Sequence, residues 1–210
     1  MTNTLIDNTE IFKLADILKK YIAQPDIYKE ICIATGYWDI PGTALVINEL
    51  KKFLAYENHS LRLLIGSDPI VRAYQLKNPI KDGKFPDDYF RRDLSELEVT
   101  EPYLSVVEAL QQYCDQNENQ SRIKVRIFKR DENGDAQFLH AKCYIFIGAT
   151  ESAGIIGSSN FTKKGLEDNA ELNYLETNTS VVTSEPKLGN VCKGHICWFD
   201  QIWEQSEPWN

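Results

Sequence analysis

Residues 139–172 read LHAKCYIFIGATESAGIIGSSNFTKKGLEDNAEL, and the succession of patterns in that stretch decides the fold. From Leu139 to Ile147 the chain alternates as a strand does. A period of two puts His140, Lys142, Tyr144 and Phe146 on one face and Ala141, Cys143, Ile145 and Ile147 on the other. A short strand at Gly154–Ile156 follows, then the polar turn Gly157-Ser158-Ser159-Asn160, a helical turn near Phe161–Leu166 and a strand over Ala170–Leu175.

Upstream, Ile11, Leu14, Ile17, Leu18, Tyr21 and Ile22 recur at helical spacing within Thr9–Ala23, and Pro25 is the stop. Glu30–Tyr37 and Leu61–Ile65 read as buried strands on either side of a helix over Thr43–Tyr56, an order that suggests a right-handed parallel crossover. A helix is expected over Tyr103–Cys114, a strand over Ile123–Phe128, a charged turn over Arg130–Asp135 and a last helix about Gly194–Glu204. Strands interleaved with helices indicate the α/β class, with a mixed, largely parallel sheet and helices on both faces. Residues 76–92 hold Pro79, Gly83 and Pro86 among charges and read as a long loop or insertion, the kind of segment that often carries specificity.

The bulk properties narrow the class. At 210 residues and 42% apolar content the chain can bury one substantial core, so a single domain over residues 5–205 is expected. No apolar run approaches the roughly 20 residues of a membrane span, and Met1–Thr9 lacks the basic start and apolar core of a signal peptide; a soluble, cytoplasmic chain is expected. Cys32, Cys114, Cys143, Cys192 and Cys197 read as reduced packing thiols, because the close group Cys192, His195 and Cys197 lacks a second ligand pair at structural-zinc spacing. A net charge of −8 argues against a protein that coats DNA non-specifically. Lys124, Arg126, Lys129 and Arg130 before the key motif, with Lys163 and Lys164 after it, form either a solvated surface or a phosphate-facing strip.

The chemistry concentrates where the quoted stretch is most polar. An ammonium two residues from an imidazole on the same face can hold a phosphoryl oxygen while the imidazole attacks phosphorus, which makes His140 and Lys142 candidate catalytic groups. Gly157 permits a close backbone approach, and Ser158 and Asn160 offer hydrogen bonds suited to phosphate oxygens, although the same residues could be an ordinary helix cap. Asn169, Glu171 and Asn173 share a face of the next strand, from which the Glu171 carboxylate could fix the tautomer of His140 and stabilise its positive charge.

Taken in order, His140-x-Lys142, Gly157-Ser158-x-Asn160 and Glu171 resemble the H-x-K, G-S-x-N and trailing-acid signature of the phospholipase D superfamily. The segments Ile33–Trp38, Leu63–Gly66 and Phe161–Leu166 are similar to parts of the phospholipase D-like domains of bacterial restriction endonucleases and of the N-terminal region of large DNA helicases, so that the resemblance runs from about Leu5 to Trp203. One position departs: the family pattern usually has aspartate five residues after the lysine, where this chain has Ile147. The resemblance implies a metal-independent phosphodiesterase without cofactor that forms a phosphohistidine on His140. It also implies a second histidine to protonate the leaving oxygen. Neither His59 nor His195 has a lysine two residues on, so a homodimer bringing two copies of His140, Lys142, Ser158, Asn160 and Glu171 into one site is expected.

The chemistry alone leaves the substrate open. The lack of a basic amphipathic helix or lipid-anchor motif favours nucleic acid, DNA over RNA, above phospholipid and membrane. Tyr37, Trp38 and Lys163 are candidate substrate contacts; the two rings could stack on a base or belong to the core. The competing expectation is a catalytically idle DNA-docking or dimerisation module fused to helicase or restriction domains.

Overall fold

The computed structural model describes residues 4–66, 100–115, 117–128, 139–186 and 193–209. The 76–92 segment, the 130–135 turn, Lys129 and Cys192 lie outside those residues. The strands are β1 (Thr4–Ile6), β2 (Tyr28–Thr35), β3 (Ser60–Ile65), β4 (Ile123–Ile127), β5 (Cys143–Gly148), β6 (Ser152–Gly157), β7 (Asn173–Glu176) and β8 (Glu207–Pro208). They form one sheet in the order β1-β7-β6-β5-β2-β3-β4-β8.

The α/β class and mixed sheet are as the sequence predicts, but the sheet is not largely parallel. Only β2 with β3 and β3 with β4 pair in parallel; every other neighbouring pair is antiparallel. The reason is connection length. β5 returns into β6 through a tight turn closed by the Gly148 N–H donating to the Glu151 carbonyl at 2.9 Å, and so short a link cannot carry the crossover that a parallel pair needs.

Helices cover both faces. On one side α1 (Leu14–Ile22), α2 (Ile40–Ala44), α3 (Ile47–Leu54) and α4 (Glu101–Tyr113) pack on Ile33, Leu63, Tyr144 and Phe146. On the other, α5 (Thr179–Val182) and α6 (His195–Glu204) bury Val182, Phe199 and Trp203 against Cys32, Ala34, Leu64 and Ile145. Ile147 packs at the margin of this second core, opposite Phe146, as the alternation predicts. Local chemistry moves several boundaries. The helix expected over Thr43–Tyr56 is two, because Pro41 and the Asp39 cap, which accepts the Gly42 N–H at 2.6 Å, start a helix early and Val46 at φ −118° interrupts it. The helix expected from Thr9 begins at Leu14, whose N–H donates to Asn8 Oδ1 at 3.0 Å.

Candidate active site

The end of β2, the end of β6 and the lead into β5 meet at one end of three neighbouring strands in the middle of the sheet. His140 and Lys142 precede β5 instead of lying within it, since the ladder begins at Cys143; the Lys142 carbonyl there accepts the Gly157 N–H at 3.2 Å. His140 is exposed, whereas Lys142 is 5% exposed and its Nζ donates to the His140 carbonyl oxygen at 3.0 Å. Burial holds the Lys142 pKa below the ordinary lysine value, and the negative charge of Glu171 partly opposes that shift. Asn160 lies across from this ammonium. A Cβ built on Gly36 would sit 3.2 Å from Asn160 Oδ1 and 3.8 Å from Lys142 Nζ, so the glycine after β2 is the bare floor between them.

The turn carrying Ser158 and Asn160 is tied down from several sides. Buried Asn173 accepts the Ser159 N–H at 3.2 Å and donates to Ser159 Oγ at 2.9 Å, while the Tyr144 hydroxyl donates to the Ser159 carbonyl at 2.9 Å. Thr35 Oγ1 accepts the Phe161 N–H at 2.9 Å and donates to the Tyr37 carbonyl at 2.6 Å. Asn160 Oδ1 accepts the Tyr37 N–H at 3.1 Å, which leaves the Asn160 amide nitrogen as the donor for a ligand. Sequence reasoning missed Thr35, Gly36 and the supporting role of Asn173. Thr35 and Gly36 follow from the Ile33–Trp38 segment; the role of Asn173 depends on a loop 14 residues away and carries no local signal.

Ser158, expected to offer hydrogen bonds to phosphate, here donates its hydroxyl hydrogen to Glu171 Oε2 and accepts the Leu172 N–H at 3.0 Å, so its one donor serves the turn. Glu171 was expected behind the imidazole on a strand; it lies ahead of β7, and its second oxygen accepts from Asn169 Nδ2 at 3.2 Å. Trp38 is core: it is 5% exposed, its indole N–H donates to Thr43 Oγ1 at 2.7 Å and its ring meets Trp209 edge-on at 6.4 Å. Tyr37 is half-buried, its backbone spent on Asn160. Lys163 is exposed at the rim, where its N–H donates to Asp39 Oδ1 at 3.0 Å. Arg126 leaves the supposed basic strip, because Glu118 holds its guanidinium with two bonds of 2.7 and 2.8 Å.

Beside the site runs an open groove of about 640 Å³, reaching Lys142 and Gly157 and walled by Leu5, Ile156, Leu172 and Trp198. Cys32 and Cys143 are buried and Cys114 and Cys197 half-buried, all four free thiols. Among the described residues no three His, Cys, Asp or Glu side chains gather as a metal site would require, and no helix is long and apolar enough to cross a membrane.

Comparison with known proteins places this geometry. Residues 18–203 match the family described as cardiolipin synthase, PLD-like domain. Among solved structures, NucT from Helicobacter pylori is similar with a TM-score of 0.53 at 12% identity, covering 99% of this chain and 98% of its own. Nuc, a phospholipase D family member from Salmonella typhimurium, follows at 0.50 and 13% identity, with 99% and 97% covered. Phosphatidylserine synthase from Haemophilus influenzae gives 0.54 at 14% identity, but only 39% of that longer chain is covered. No curated protein matches by sequence.

Proposed function

Since this chain belongs to the phospholipase D-like domain family, a superfamily of phosphodiesterases, we propose that it is a nuclease that cleaves a nucleic-acid phosphodiester through a covalent intermediate on His140. The observation that carries the reading is Lys142: an ammonium withdrawn from water, anchored to the backbone of His140 and set with the Asn160 carboxamide around the bare Gly36 floor, suits the binding of a phosphoryl oxygen.

In this reading a non-bridging oxygen sits between Lys142 Nζ and Asn160 Nδ2, and an imidazole nitrogen of His140 forms the new bond to phosphorus. The bond from phosphorus to the leaving oxygen breaks, and that oxygen takes a proton from the imidazolium of a second His140, supplied by another copy of the chain. That second imidazole, now neutral, removes a proton from water as the water attacks the phosphohistidine and frees the first. In the same reading Glu171, held by Ser158 and Asn169, supplies a fixed negative charge that stabilises the cationic ring. Exposed Lys163 is the proposed contact for the substrate strand beyond the scissile phosphate.

One observation favours a second reading. The apolar walls of the groove beside Lys142 suit a phosphodiester with a hydrocarbon tail better than a sugar-phosphate backbone.

The test is incubation of the purified chain, in EDTA, with labelled oligonucleotides and separately with phosphatidylglycerol vesicles. Oligonucleotide cleavage that is abolished by His140→Ala, with an acid-labile phosphate adduct in the unaltered chain, supports the nuclease. Turnover of vesicles alone supports the lipid reading, and oligonucleotide binding without cleavage supports an idle docking module.

A further inference from the structure

Asn8 stands outside every motif, yet its side chain makes three bonds to backbone, two of them to residues 157 and 161 positions away. It adopts φ 60°, the left-handed conformation that asparagine tolerates better than most residues. Its Oδ1 accepts the N–H of Leu14, the first residue of α1, at 3.0 Å. Its Nδ2 donates to two carbonyls far along the chain, Gly165 at 2.9 Å and Asn169 at 3.1 Å.

Those carbonyls flank the end of an unusual element. Lys164–Asp168 is a π-helical turn, closed by the Asn169 N–H donating to the Lys164 carbonyl at 2.8 Å. Because it stops after one turn, the carbonyls at its carboxyl end have no partner in the next turn. The Asn8 amide supplies one. The turn lies between Asn160 and Glu171 and touches both. Gly165 packs so closely on Asn160 that an added Cβ would fall 2.4 Å from the Asn160 carbonyl oxygen, and Asn169 donates directly to Glu171.

We propose that Asn8 is a positioning residue of the active site: its carboxamide fixes the π-helical turn and, through it, the placement of Asn160 and Glu171. This rests on the functional reading above. Asn8→Asp is the decisive substitution. It keeps the left-handed backbone and the acceptor for Leu14, but replaces the donor with an anion facing two carbonyl oxygens. Asn8→Gly keeps the backbone and removes the whole carboxamide.

Both variants are expected to slow single-turnover oligonucleotide cleavage on the order of 10- to 100-fold, with the dissociation constant changed less than about two-fold, because a small displacement of a positioned group costs rate more than binding. Amide exchange over residues 160–172 should accelerate while that of β2 and β3 stays as before. In a Glu171→Gln background, where the positioned charge is already gone, Asn8→Asp should cost clearly less than in the unaltered chain, the remainder being the share that acts through Asn160. Unchanged cleavage in both variants overturns the proposal, as does an equal loss with and without the Glu171 carboxylate, or exchange that accelerates throughout the sheet. If the unaltered chain cleaves no nucleic acid, the functional reading fails instead, and unaltered exchange over 160–172 would still remove Asn8 from the turn.

Discussion

Arg62 and Lys142 are both cations drawn out of solvent, and the molecule treats them in opposite ways. Arg62 on β3 is met by Glu30 and by Asp200, each at 2.6 Å, while its guanidinium lies 5.0 and 5.5 Å from the ring centres of Phe199 and Trp203. Lys142 has one carbonyl at 3.0 Å and, among the described residues, no carboxylate at ion-pair distance. The charge of Arg62 is consumed in clamping α6 to the sheet. The charge of Lys142 is held in place with its field largely unanswered, an arrangement that stability does not call for and anion binding does.

This contrast fails if both ends of the molecule respond alike to substitution. The largest effect is expected at Glu171, where glutamine keeps the shape and removes the charge. Single-turnover cleavage should fall on the order of 10²- to 10⁴-fold, equivalent to roughly 3 to 5 kcal/mol of barrier, with a binding isotherm little changed. Equal rates in the two proteins would take Glu171 out of the site. At the other end, Arg62→Met should lower stability to urea by about 2 to 4 kcal/mol. That is somewhat less than breaking a fully buried ion pair, because Asp200 is 48% exposed and can rehydrate. Its cleavage rate per folded molecule should be unaltered; a rate loss at full folding would make the clamp part of the site.

Lys142→Met should show the reverse pattern. Stability is expected to stay within about 1 kcal/mol, while sulfate or phosphate affinity falls by about 1.5 to 3 kcal/mol, the worth of a charged hydrogen bond. The subtlest effect is on pH. Because folding lowers the Lys142 pKa, raising the pH through the window between its folded and unfolded values removes a cost of burying charge, so stability should rise there while anion affinity falls. Titration of both quantities against Lys142→Met isolates the group, and an anion affinity that persists to the pKa of an ordinary lysine would contradict it.

The parts of this site that were legible in the sequence are those fixed by residue type and spacing. Lys142, Asn160 and Glu171 stand at distances along the chain that strands and turns convert into proximity, and the alternation from Tyr144 to Ile147 correctly divides the two cores. What could not be read depended on partners distant in sequence. Ser158 looks like a phosphate donor until the Glu171 carboxylate takes its hydrogen, and Trp38 looks like a stacking platform until Thr43 and Trp209 enclose it. The parallel character of the sheet was overestimated because the strand, helix and strand order from β2 to β3 reads as a parallel crossover, while the tight link that turns β5 back into β6 leaves little trace in the residue pattern. Three-residue β1 and two-residue β8 are too short to leave a periodic trace.

Those two stubs have a further effect on how copies of the protein can meet. They occupy the outer positions of the sheet, and β8 places Pro208, which has no N–H to offer, on one of its two rungs. A long open rim would invite another chain to continue the hydrogen-bond ladder without limit. Here each rim offers at most a rung or two before the register runs out. Propagating stacks are thereby discouraged, and association is steered toward closed contacts.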